Sequence, residues 1–136
     1  GVRDGSNIIL YINDLAAVSV PDNGYNGSNA RDFVIGAQII SGTIQREFYG
    51  NIDEVAVWNV ALSDADRLSL YNAGVPRDLT VAGSYDTDRT GNLIGWWRNG
   101  DGTEAASGVT VYDMSTNSYN GTATNMGNED YEEDTP

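Results

Sequence analysis

At 136 residues and 40% hydrophobic content the chain is the size of one domain, and no apolar run approaches the ~20 residues of a membrane helix. Seven Arg, with no Lys and no His, face 20 Asp and Glu; the net charge of −13 repels phosphate backbones and argues against nucleic-acid binding. The lack of both Cys and His removes disulfides, thiolate nucleophiles, His-based triads and the usual zinc sites.

In chain order, Asp4-Gly5-Ser6-Asn7 is a turn signal, followed by a β-branched and aromatic run at residues 8–12. Asn13-Asp14 is a tight turn into residues 15–20, so the two runs read as a hairpin with a two-residue connection. A polar loop over residues 21–31 leads to a further strand at 33–36, then a loop or short strand at 39–46. The clearest strand spans residues 52–58, with a bulge or bend near Asp53-Glu54. One helix follows. Ser63 is its N-cap, Asp66 imitates the acid of a capping box, and Gly74-Val75-Pro76 is its stop signal. Leu68 and Tyr71 lie on one face, which the pattern turns toward the sheets.

Residues 77–92 are polar and read as a linker. Short strands are expected at 93–98, 109–112 and 119–124 within a segment 93–127, and residues 128–136 form an acidic tail. Short apolar runs separated by Gly, Asn, Asp, Ser and Thr define an all-β antiparallel sandwich with one short helix near 63–73. The chain opens in what reads as the middle of a hairpin, so it is expected to be part of a longer polypeptide or an oligomer.

The run Phe48-Tyr49-Gly50-Asn51-Ile52-Asp53-Glu54-Val55-Ala56-Val57-Trp58-Asn59-Val60-Ala61-Leu62-Ser63, ending in Leu70-Tyr71-Asn72-Ala73-Gly74, resembles the closing signature of laminin-G-like, concanavalin-A-like jelly rolls of pentraxin type. Asp4-Gly5 through Asn13 resembles that family's opening hairpin of the same half, and Val34-Ile35-Gly36 its step before the final strand. Residues 1–76 are thus expected to be the closing half of a jelly roll. Leu93-Ile94-Gly95-Trp96-Trp97-Arg98, Asp113-Met114-Ser115 and Asn120-Gly121-Thr122 resemble the opening half, displaced to follow the closing one. Residues 93–127 are therefore expected to pack on the first part or to start a next module. Similar stretches ending near Asp-Thr-Pro resemble modules of marine phage structural proteins, and the lack of disulfides suits a microbial or viral source. The resemblance implies a location outside the cell or on a virion surface.

Several residues stand out as site candidates. On a strand successive side chains face opposite sides, so one of Trp96 and Trp97 is expected in the core and the other outward, where with Arg98 it would stack on a ligand such as a sugar ring. Asp113, Ser115 and Asn117 have the alternate oxygen spacing of the start of a calcium loop, and calcium is the metal such hard ligands would take. Asp53-Glu54 point apart on a strand and cannot flank a glycosidic bond together; a backbone-binding role for Asp53 is expected instead. Asn26-Gly27-Ser28 and Asn120-Gly121-Thr122 are formal glycosylation tripeptides.

The expected function is a non-catalytic binding module whose partner is a glycan or another protein subunit. The alternative is a structural assembly or decoration domain without a small ligand. A glycoside hydrolase fragment is disfavoured because no paired-acid motif is present. Half a sandwich leaves an open apolar face, so either a partner chain covers the core or residues 93–125 fold back onto 52–58.

Overall fold

The computed structural model of the chain describes residues 1–13, 15–24, 32–99 and 110–126. Its strands pair in small antiparallel sheets with one short α-helix, as expected of a partial jelly-roll sandwich. The glycosylation tripeptide at Asn26 and the acidic tail 128–136 lie outside the described residues.

The first sheet grows from an aspartate turn. Asp4 Oδ1 accepts from the N–H groups of Ser6 and Asn7 and reverses the chain between β1 (Val2–Arg3) and β2 (Asn7–Ile12). β2 then pairs antiparallel with β3 (Leu15–Pro21). Ile12 stands opposite Leu15, so the connection is the two-residue turn expected, and Asn13 takes the positive φ of 55° that such a turn requires. The register slips by one residue between Leu10 and Ile12. That slip matters: it keeps Leu15 on the same face as Val18 and Val20, where an uninterrupted ladder would turn it to the other.

β4 (Gln38–Ile40) and β5 (Thr43–Gln45) form a second hairpin around Ser41 and Gly42, both at positive φ. The strand expected at 33–36 does not form. Gly36 has a φ of 77° and its carbonyl accepts from the Phe48 N–H, so this backbone closes a loop instead of joining a ladder.

β6 (Val55–Trp58) is shorter than the expected 52–58. The bend expected near Asp53-Glu54 is real and delays the strand: Glu54 has a φ of 52°, and Asp53 Oδ1 accepts from the Glu54 N–H at 2.7 Å. The register slip lies further along, between Val57 and Trp58. β6 pairs with β7 (Leu93–Trp97), and β7 is joined on its other side by the bridge from Trp97 to Asp113 and by Met114 N–H donating to the Trp96 carbonyl. Residues 93–97 thus do fold back beside 55–58. β8 (Thr110–Val111) and β9 (Gly121–Thr122) complete a last, two-residue ladder.

Helix α1 (Asp64–Tyr71) begins as its sequence dictates. Ser63 Oγ accepts from the Asp66 N–H while Asp66 accepts from the Ser63 N–H, a full capping box. It ends earlier than Gly74. Asn72 adopts the left-handed conformation and donates to the Leu68 carbonyl, doing the work expected of the glycine. The face turned to the core carries Leu70, whereas Leu68 is exposed, which corrects the predicted Leu68–Tyr71 face.

Leu79, Leu93 and Trp96 form the buried cluster, with Ala56, Trp58 and Leu70 packed on it. Residues 77–92 do not run free as their polarity suggests. Tyr85 is buried; its hydroxyl donates to the Leu79 carbonyl at 2.8 Å and accepts from Trp58 Nε1 at 3.3 Å. Ser84 Oγ donates to the Asp78 carbonyl, and Asp78 and Asp88 each accept two hydrogen bonds from the threonine two residues on. The polar groups close turns over a single aliphatic anchor, Leu79.

Candidate functional site

The register of β6 and β7 builds the best candidate. With Val55 opposite Trp97, Glu54 falls opposite Arg98 one step outside the ladder. Glu54 Oε1 accepts from Arg98 Nε at 2.8 Å and Glu54 Oε2 from Trp96 Nε1 at 2.6 Å. The guanidinium then lies 5.3 Å from the Trp96 ring centre. One carboxylate therefore fixes both an indole and an arginine.

Beside them opens a cleft of about 390 Å³ lined by Pro76, Arg77, Asp78, Thr80, Trp96, Arg98 and Met114. Its walls divide by chemistry. Trp96, Pro76 and the half-exposed Met114 are apolar; Arg77, Asp78, Thr80 and Arg98 bring donors and acceptors. The Thr80 hydroxyl and N–H hydrogen bonds hold the Asp78 carboxyl below its ordinary pKa, and Arg98 adds a smaller pull in the same direction. Arg77 donates to the Asn72 side chain at 2.9 Å and to the Gly83 carbonyl at 3.2 Å, while its buried Nε has no partner among the described residues.

The cleft unites Trp96 and Arg98, two of the three residues predicted to bind ligand, but not in the predicted way. Neither tryptophan faces outward: Trp96 is 4% exposed and Trp97 7%. Alternation does send them to opposite sides of β7; both sides are covered. Trp97 stacks on Phe33 with ring centres 5.5 Å apart, and its Nε1 donates to the Tyr119 carbonyl at 3.0 Å. Its ring also lies over Gly95, where a Cβ would approach within 2.4 Å of the indole. Trp97 is therefore a packing residue and Trp96 contributes only an edge of the cleft. Open stacking of a sugar ring on either indole is ruled out by that cover.

Asp113, Ser115 and Asn117 do come together, but they do not fit a calcium ion. Asp113 Oδ1 accepts from the N–H groups of Trp96 and Ser115, and Oδ2 from Ser115 Oγ and the Tyr119 N–H, all at 2.8 Å. Asn117 Nδ2 donates to the carbonyls of Leu93 and Ile94 at 3.0 Å. Every lone pair of the carboxylate is used, and the asparagine presents its amide nitrogen inward. Burial pushes the Asp113 carboxyl up, but these hydrogen bonds prevail and hold it below its ordinary pKa. The cluster is a clasp that ties residues 113–119 to the backbone of β7. Asn120, in the second glycosylation tripeptide, accepts from the Asp113 N–H at 3.0 Å and belongs to the same clasp.

A second buried acid escaped the motif reading except as a cap. Asp66 is fully buried and takes hydrogen bonds from Thr87 N–H at 2.8 Å and Arg89 Nε at 2.9 Å besides its own capping partners. Burial alone would push its carboxyl up; the hydrogen bonds from Thr87, Arg89 and Ser63 outweigh that and leave a pKa of about 2. Its capping spacing was legible from Ser63, whereas no local pattern points to Arg89, 23 residues on. Glu54 was singled out only as a neighbour of Asp53; its link to Trp96 and Arg98 required the strand register.

The antiparallel strands and the short capped helix are consistent with a concanavalin A-like sandwich in partial form. Residues 1–66 match the family model Laminin_G_3, described as the concanavalin A-like lectin/glucanases superfamily. Comparison with curated proteins and with solved structures gave no match.

Proposed function

We propose that the chain is a non-catalytic binding module acting outside the cell or on a virion surface, and that the cleft beside β7 receives a glycan. The observation that carries this reading is the pairing within one cleft of an apolar wall with a ring of fixed polar groups. A sugar ring offers C–H faces and in-plane hydroxyls, and it needs both kinds of surface at once. Glu54 holds Arg98 at one end, and Thr80 orients the Asp78 carboxylate at the other. The cleft volume suits one or two sugar units rather than a long groove-bound chain.

The state of the cleft's own acid supports a binding role over hydrolysis. Asp78 is held below its ordinary pKa, chiefly by the hydrogen bonds from Thr80. A glycosidase needs a carboxyl raised well above it to donate a proton to the leaving oxygen.

A glycan array probed with the purified chain, together with Met114→Arg, tests the proposal. Met114 is half exposed, so the longer side chain fills the cleft with little effect on folding. Binding by the wild type and its loss in M114R, with an unchanged unfolding midpoint, is the expected result. A wild type that binds no glycan, or an M114R protein that binds equally well, defeats the proposal.

A further inference from the structure

β2 and β3 present one face without a partner. Ile8, Leu10 and Ile12 on β2 stand opposite Val20, Val18 and Leu15 on β3, and all six are between 48 and 69% exposed. The other face of β2 is different: Asn7, Ile9 and Tyr11 are half buried, and Arg67 of α1 lies 4.2 Å over the Tyr11 ring. Strict alternation with the aliphatic row on the bare side is the pattern of a sheet built to be covered there. The register slip between Leu10 and Ile12 reinforces this, because it places Leu15 in the row.

We infer that a second copy of the chain covers this face, aliphatic row against aliphatic row across a two-fold axis. Six side chains left half to two-thirds bare expose on the order of 600 Å² of apolar surface, the upper end of what a monomer tolerates. Doubled across the axis this reaches the ~1,200 Å² at which specific interfaces begin. Two sheets stacked face to face about 10 Å apart would also restore the two-layer core that a sandwich needs. Among the described residues nothing covers this row, whose six side chains stay 48–69% exposed. Charge does not forbid the contact, since no charged residue lies within the row and the Arg3–Asp22 ion pair stands at its rim. The net charge of −13 on each copy does oppose approach, so added salt should tighten the dimer.

Sedimentation of the full chain over a range of micromolar concentrations tests the inference. A concentration-dependent dimer that strengthens with salt is expected, and Leu10→Glu with Val18→Glu should remain monomeric wherever the wild type is dimeric. Because the chain has no cysteine, a disulfide can report the face directly. Val18→Cys should oxidise to a covalent dimer, while Ser19→Cys, exposed on the opposite face, should not. A wild type that is monomeric throughout overturns the inference and leaves the face to a sheet of another polypeptide. Irregular aggregates in place of a dimer, or equal cross-linking of V18C and S19C, overturn it as well. M114R must dimerise like the wild type, which keeps this result separate from that for the cleft.

Discussion

The β2–β3 hairpin and the β6–β7 pair are built from similarly apolar runs, yet they end in opposite conditions. Around β7 both faces are covered: Leu93 and Trp96 pack on Leu79 on one side, and Trp97 lies under Phe33 on the other. On β2–β3 one face carries a bare aliphatic row. The covered region is held chiefly by carboxylates. Asp113 clasps β7, Glu54 fixes Trp96 and Arg98, and Asp66 joins α1 to Thr87 and Arg89. These are directional bonds that one strand pair and its flanking turns can satisfy locally. An aliphatic row has no such recourse, because only another apolar layer removes it from water. The superfamily match over residues 1–66 takes in the bare β2–β3 face together with β6 of the covered pair.

The sharpest way to break this contrast is to remove the acid at its centre. Asp66→Ala deletes half of the capping box, strands the Thr87 N–H and leaves Arg89 without its partner. Loss of a buried, hydrogen-bonded charge of this kind costs about 3 kcal/mol, readable by urea unfolding. The effect also has a pH signature. Asp66 has a folded pKa of about 2 against roughly 3.9 in an unfolded chain. Its contribution is therefore complete above the unfolded value, declines as pH falls below about 4, and is gone once pH passes through 2. The wild type should lose stability over that window more steeply than D66A. Parallel acid profiles for the two proteins would show that Asp66 does not anchor this region.

A smaller loss is expected at Gly95. A methyl there meets the Trp97 ring at 2.4 Å, with further indole carbons at 2.8 and 3.0 Å, so the ring must leave its place under Phe33. Overpacking of this kind costs about 2 kcal/mol. G95A should lower the urea midpoint and flatten the near-ultraviolet circular dichroism of the indole. Trp97→Phe in the same chain should recover part of the loss, since the shorter ring makes room for the methyl. If G95A is as stable as the wild type, the two-sided packing of β7 is not as tight as its geometry requires.

What was legible in the sequence divides along the same line. Local chemistry was readable: the Asn13-Asp14 turn, the Ser63 cap with Asp66, and the bend at Asp53-Glu54 each depend on neighbours a few residues away. The antiparallel class of the fold followed from the spacing of turns and apolar runs. Alternation along a strand does not by itself set exposure. Trp96 and Trp97 do face opposite ways, but which face is wet depends on Phe33 and on residues 77–80, far off in the chain. The oxygen spacing of Asp113, Ser115 and Asn117 suggests a cation loop, but the same spacing serves equally well to bind backbone N–H and carbonyl groups. Residues 77–92 look like a linker by composition because their polarity is conspicuous, whereas the two residues that anchor them, Leu79 and Tyr85, are not.

The smallest predicted effect tests how firmly the bare sheet is attached to the rest. Its described links to α1 are few: Arg67 over the Tyr11 ring, Arg67 Nη1 donating to the Asn13 carbonyl at 3.0 Å, and the Asp64 hydrogen bond that raises the Tyr11 pKa. Tyr11→Leu removes the first and third while retaining apolar bulk. A partly buried cation–π contact is worth about 1 kcal/mol, so the global unfolding midpoint should move little. Local opening should respond more. Amide exchange in β2 and β3 should accelerate several-fold while exchange in β7, held by the Asp113 clasp, stays unchanged. Equal acceleration in both regions would mean that the hairpin and the β7 core open as one unit, and that the aliphatic face is anchored from behind far better than these contacts allow.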